Sequence, residues 1–216
     1  MAGNIGVGKS TFTTMFAERY SFKRFYEVVE QNPYLAGFYK DMKRWAFHLQ
    51  VFFLSKRFAH HYGIQRSGEA TIQDRSIYED PYVFAKNLYL QGNMSENDYR
   101  CYLELFENMA QNLEVPDLLV YLRASVPTLC HRIAQRGREF ERSIKREYLQ
   151  QLANHYEDWV ATYPGKVLTI DTDGLDFVNN PEDFASMCEQ VWESLEQTTF
   201  EVPEQTELRF GLRALS

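Results

Sequence analysis

Residues 1–12 read MAGNIGVGKSTF. Within them Gly3, Gly8, Lys9 and Ser10 occupy the fixed positions of the pattern G-x-x-x-x-G-K-[ST]. Glycines in such a loop let successive backbone N–H groups close on phosphate oxygens, and the helix that follows presents its positive end. Gly3, Asn4, Ile5, Gly6, Val7, Gly8, Lys9, Ser10 and Thr11 are therefore candidates for holding the phosphates of a nucleotide. In this chemistry Lys9 neutralises β- and γ-phosphate charge and the Ser10 hydroxyl ligates Mg²⁺. Such loops hang from an interior parallel strand, yet only Met1 and Ala2 stand before this one. The expectation is a central first strand that is largely missing.

Working outward, residues 10–20 (STFTTMFAERY) read as a helix and 22–29 (FKRFYEVV) as a strand. One long helix is expected from about Leu35 to Gln65, then a short strand in EATIQD. EDPYVFAKNLYL and ENDYRCYLELFENMAQNL read as helices, and DLLVYLR is a continuous apolar run of strand length. VPTLCHRIAQRG is a helix with Pro127 near its start and Gly137 near its end. KREYLQQLANHYEDWVATY is a helix, KVLTID a strand and PEDFASMCEQVWESLEQ the last helix. Strands alternating with helices predict a parallel sheet covered on both faces. Residues 1–197 read as one domain, and 198–216 as a loose tail with no period.

Composition narrows the function classes. At 216 residues, with 44% hydrophobic and 25% charged residues, the chain is an ordinary globular one. No apolar run is long enough to cross a bilayer and no signal peptide precedes the loop. The three cysteines are scattered, which excludes a metal-ligand spacing or disulfide framework and points to a reducing cytoplasm. A net charge of −7 disfavours nucleic acid as the main partner. A GTPase is excluded because no N-K-x-D motif follows the loop.

Several residues have the chemistry a phosphotransferase needs. Arg132, Arg136 and Arg138 lie around one helix end, where guanidinium groups would close over transferring phosphates. Glu27 and Glu30 fall near the end of the second strand, and either carboxylate suits a general base toward a hydroxyl. Asp74 and Arg75 end the next strand on the same edge, one to hold Mg²⁺ and one to steady reacting oxygens. Tyr39, Gln50 and Arg57 share a stripe of the expected long helix, with donors and acceptors that match the edge of a nucleobase. Asp80 and Phe84, four apart, add an acceptor and a ring for stacking.

Taken in order, these motifs resemble the deoxynucleoside kinase family from Gly3 to about Leu195. The resemblance rests on GNIGVGKST, on E-x-V in YEVV and on Q-x6-R in QVFFLSKR, followed by D-R-S-x-Y-x-D in DRSIYED and R-x3-R-G-R in RIAQRGR. It implies a P-loop kinase fold, with a parallel five-stranded sheet flanked by helices and an arginine-rich lid. Glu27, not Glu30, matches the general base for a nucleoside 5′-hydroxyl; Arg75 matches the arginine beside that oxygen and Asp74 the acid beside Mg²⁺. Tyr39 and Glu141 match the pair that holds the sugar 3′-hydroxyl, Gln50, Arg57 and Asp80 the base-reading trio, and Phe84 the stacking ring. Arg132, Arg136 and Arg138 match the lid, and residues 171–177 the loop over the donor's base. The implied activity is phosphoryl transfer from ATP, with Mg²⁺, to a deoxynucleoside. Arg57 with Asp80 resembles members that take deoxypurines or deoxycytidine, deoxyadenosine first, and relatives are commonly homodimers. Val28 stands where many relatives carry proline, and the resemblance implies that the bulky Phe53 falls at a spot facing the base. The competing readings are a thymidylate-like monophosphate kinase and a nucleotide-binding regulatory protein without turnover.

Overall fold

The computed structural model describes residues 1–26, 32–138, 141 and 144–198. Five strands occur among them: β1 (Ala2–Gly3), β2 (Lys23–Phe25), β3 (Thr71–Gln73), β4 (Leu119–Arg123) and β5 (Val167–Asp171). Every pairing is parallel, with Ala2 opposite Tyr121, Leu119 opposite Val167 and Lys23 opposite Thr71. They form two ladders, β1-β4-β5 and β2-β3, where a single five-stranded sheet was expected. Met1 links the two. Its ammonium donates to the Gln73 carbonyl at 2.8 Å, and its own carbonyl accepts from the Arg75 N–H at 3.0 Å. The first strand is therefore present, but only two residues long, and it sits between β3 and β4. Burial of the Met1 ammonium lowers its pKa below the usual 8.0. At this end of the sheet a mostly apolar cleft of about 480 Å³ opens between residues 71–73 and 118–120.

The helices are α1 (Lys9–Tyr20), α2 (Leu35–Lys40), α3 (Met42–Ser67), α4 (Lys86–Leu90), α5 (Glu96–Ala110), α6 (Val126–Arg136), α7 (Arg146–Ala161) and α8 (Pro181–Thr198). The long helix expected over Leu35–Gln65 is in fact two. Asp41 leaves helical geometry (φ −147°, ψ 84°), and its side chain accepts the Arg44 N–H at 3.0 Å as the N-cap of α3. Before α4 the chain makes a π-helical turn over Asp80–Ala85 rather than the α-helix its pattern predicts. Such turns are rare and frequently lie at functional sites.

The strand β4 shows how the core is divided. Alternate side chains of a strand point to opposite faces. Leu119 and Tyr121 join a cluster with Leu49, Leu54, Phe106 and Tyr156 from α3, α5 and α7. Val120 and Leu122 join another with Phe12, Phe16, Leu129 and Met187 from α1, α6 and α8. Because both faces are covered, DLLVYLR is continuously apolar. Residues 199–216, expected as a loose tail, lie outside the described residues.

Candidate active site

The turn after β1 delivers the phosphate loop to the amino end of α1. Gly8 caps that helix at φ 105°, a backbone region that side chains rarely adopt, and a Cβ there would stand 2.7 Å from the Phe177 ring. Residue 8 thus has to be glycine for the loop to close under the 171–177 segment. The Asn4 side chain accepts from the Ile5 N–H (2.8 Å) and donates to the Leu149 carbonyl (2.9 Å), which ties the loop to α7. Lys9 is buried, and its ammonium donates to the Asn4 carbonyl at 2.9 Å, folded back across the loop.

Beside it lies a cleft of about 450 Å³. Among its lining residues are Ile5, Gly6, Lys9, Ser10, Tyr39, Gln50, Arg57, Asp74, Arg75, Asp80, Phe84, Arg136, Arg138 and Glu141. Strand ends, five helices (α1, α2, α3, α6 and α7), the π turn and the segment after α6 all contribute, so most of the sequence candidates converge. Gly3, Asn4, Val7, Gly8 and Thr11 belong to the loop and its helix but do not line this cleft. Tyr39 reaches the cleft from α2, not from a stripe shared with Gln50 and Arg57 on one helix.

At the inner end Arg57 and Asp80 form a close, buried ion pair, and the Arg57 guanidinium lies 4.9 Å from the centre of the Phe53 ring. Gln50 is buried beside them, with its Oε1 lacking a hydrogen-bond partner. A buried amide oxygen without a donor is costly, so the inner wall is built to receive one. Phe84 is the platform: the Arg75 guanidinium sits 4.6 Å from its ring centre, and Tyr156 meets it edge-on at 6.1 Å.

Arg75 is held at both ends. Its backbone is left-handed at φ 66°, strained for a residue with a side chain, and its N–H is the donor to Met1. Its Nη1 donates to Glu79 Oε2 at 3.1 Å and to the Tyr156 hydroxyl at 2.7 Å. Next to it the Ser10 hydroxyl donates to Asp74 Oδ2 in a very short contact, while Asp74 Oδ1 is buried without a hydrogen-bond partner. A hydroxyl and a carboxylate with an orphaned oxygen, beside a phosphate loop, are the hard oxygen donors that Mg²⁺ takes together with substrate phosphates.

The arginines divide into two roles. Arg136 makes a two-pronged pair with the buried Glu141, at 3.0 and 2.6 Å, and Arg138 lies 3.7 Å from the same carboxylate. Arg132 does not line the cleft. Its guanidinium donates to the Val7 carbonyl (3.1 Å), to Thr172 Oγ1 and O (2.9 and 2.7 Å) and to the Leu175 carbonyl (3.3 Å), clasping the 171–177 segment to the phosphate loop. Glu27 and Glu30 lie outside the described residues. Sequence reasoning missed Glu79, Tyr148 and Tyr156. Tyr148 lines the cleft, and burial pushes its hydroxyl pKa up to about 12. These three carry no motif of their own. The only signal was the carboxylate that follows Arg75 by four residues in DRSIYED.

Parallel strands, a phosphate loop at their carboxyl ends and one adjoining cleft with an arginine-bearing rim define a P-loop phosphotransferase. The family model described as "Deoxynucleoside kinase" matches residues 1–196, and the chain belongs to that family. It is 40% identical over 194 residues to the deoxyadenosine/deoxycytidine kinase of Bacillus subtilis strain 168, covering 88% of this chain and 89% of that one. It is 36% identical over 202 residues to the deoxyguanosine kinase of the same organism, covering 88% and 94%. Among solved structures, deoxyadenosine kinase from M. mycoides with products dCMP and a flexible dCDP bound matches with a TM-score of 0.77 at 30% identity, covering 91% and 97%. The same enzyme with bound dATP matches with the same score. The protein is a deoxynucleoside kinase.

Proposed function

We propose that the protein transfers the γ-phosphoryl group of ATP to the 5′-hydroxyl of a purine deoxynucleoside, deoxyadenosine first, with Mg²⁺. The observation that carries this reading is the single cleft that holds Lys9 and Ser10 at one end and Gln50 with the Arg57–Asp80 pair at the other. Its volume suits one nucleoside placed between the base-reading wall and the phosphates. The names of similar enzymes support a purine, and the dATP-bound relative supports an adenine nucleotide in such a site.

In this reading Gln50 and the Arg57–Asp80 pair meet the base edge, Phe84 its face, and Tyr39 and Glu141 the 3′-hydroxyl. Glu27 accepts the proton of the 5′-hydroxyl. Arg75, Lys9, Arg136 and Arg138 spread charge across the transferring group, so catalysis rests on positioning and electrostatics. Ser10 and Asp74 are the residues that would hold Mg²⁺, which supplies charge neutralisation on the phosphates. Arg132 keeps the donor segment in place. A homodimer in the cytoplasm is part of the same proposal. No helix among the described residues is long and apolar enough to cross a membrane.

The test follows ADP release from ATP and Mg²⁺ with a panel of deoxynucleosides and nucleoside monophosphates, with and without a chelator. Turnover with deoxyadenosine or deoxyguanosine that the chelator abolishes is the expected result. Preference for thymidine, or for a monophosphate, overturns the substrate assignment.

A further inference from the structure

We propose that Glu79 and Tyr156 are positioning residues for Arg75, fixing its guanidinium at the cleft wall for phosphoryl transfer. The proposal rests on the reading that Arg75 touches the reacting oxygens. Both side chains are fully buried, and neither lines the cleft. Glu79 Oε2 is the shared acceptor: the Tyr156 hydroxyl donates to it at 2.5 Å and Arg75 Nη1 at 3.1 Å, while Nη1 also donates to the hydroxyl at 2.7 Å. Three groups closed in a triangle leave one orientation for the plane of the guanidinium.

The ring of Tyr156 is itself immobilised. It stacks on Tyr121 of β4 at 5.6 Å with 19° between planes, and it meets Phe84 and Trp159 edge-on at 6.1 and 6.2 Å. The Phe84 ring lies under the same guanidinium, at 4.6 Å. Burial pushes the tyrosine pKa well above its usual value, so the hydroxyl stays a donor to the carboxylate. At the other end the Arg75 backbone is pinned to Met1. Buried ion pairs add little net stability compared with apolar residues of the same shape, so what this one contributes is orientation. Its position on α7 adds a second link, because the same helix accepts the Asn4 side chain from the phosphate loop. The helix thus sets the transferring-phosphate side and the acceptor side from one rigid body.

The experiment compares wild type, Tyr156→Phe, Glu79→Gln, Glu79→Ala, Arg75→Ala and the double variant Arg75→Ala/Tyr156→Phe. Steady-state kinetics at saturating ATP are measured for each, together with Tm. Tyr156→Phe should lower kcat about tenfold, as expected for losing a hydrogen bond to a charged group, with nucleoside KM within about twofold. Glu79→Gln, which keeps an acceptor oxygen, should retain more turnover than Glu79→Ala. In the Arg75→Ala background Tyr156→Phe should cost nothing further, since its effect runs through Arg75. An unchanged kcat, a loss confined to KM, or the same fractional loss with and without Arg75 overturns the proposal. NMR of the Arg75 side-chain N–H groups reads orientation without turnover: slow guanidinium rotation in wild type, faster in Tyr156→Phe. Fast rotation in wild type overturns the proposal even in an active enzyme. Absent nucleoside turnover with slow rotation would instead count against the substrate assignment and leave the positioning role supported.

Discussion

Asp80 is fully buried, and a carboxylate taken out of water costs several kcal/mol unless a cation meets it. Arg57 meets it. The sequence marks both residues as candidates for meeting a base, but not that they form an ion pair with each other, because they lie 23 positions apart on different elements. Their neutral partnership explains how two charged groups stand in the deepest wall of the cleft. Asp80→Ala should lower stability by about 3–5 kcal/mol, seen as a lower midpoint in urea unfolding, because the guanidinium is left without its carboxylate. Arg57→Met with Asp80→Leu should recover most of that stability while nucleoside binding, read by calorimetry, stays lost. If the double variant binds the nucleoside normally, the pair does not face the base.

The break between α2 and α3 is a property of an element, and one side chain makes it. Helical periodicity runs on through Asp41, so a pattern of apolar residues places Tyr39 and Gln50 on one rod. Asp41 instead satisfies an N–H at the start of α3 and lets α2 take its own direction. Both helices then bring side chains to the cleft. Asp41→Ala should cost about 1 kcal/mol in stability by urea unfolding, the usual worth of an N-cap. It should also raise nucleoside KM, since the angle that aims Tyr39 is no longer fixed. A stability loss with KM unchanged would mean that the cap serves folding alone. The π turn teaches the same lesson: EDPYVFA has ordinary helical spacing, yet the chain widens there into a π turn.

At the scale of the molecule, two apolar clusters sandwich the strands, and one buried and two half-buried histidines couple that packing to pH. His61 is buried, its Nε2 meets the Glu114 carbonyl at 2.8 Å and its Nδ1 has no hydrogen-bond partner. A second proton there would be an unsatisfied buried donor, and burial lowers its pKa from the ordinary 6.5; His60 and His155 are lowered for the same reason. The unfolded chain therefore binds these protons more readily than the folded one. Their contribution to stability is complete above pH 6.5 and is lost as pH falls from there through the lowered folded values. Tm should drop on acidification below 6.5, and His61→Gln should flatten part of that slope; an unchanged slope would remove His61 from the effect.

The sequence alone determined the phosphate loop, the alternation of strands with helices and most of the polar cleft residues. Each of those rests on local rules: a fixed glycine spacing, a period of 3.6 or 2, or side-chain chemistry at a strand end. Tertiary structure decided what depends on partners distant in the chain. It paired Arg57 with Asp80, and it divided the strands into two ladders joined through Met1. It turned Arg132 away from the cleft to bind the 171–177 segment, and it closed Arg75, Glu79 and Tyr156 into one triangle. No local pattern encodes these, because what fixes each is the cost of leaving a buried charge or donor unmet, and only packing reveals which groups are buried together.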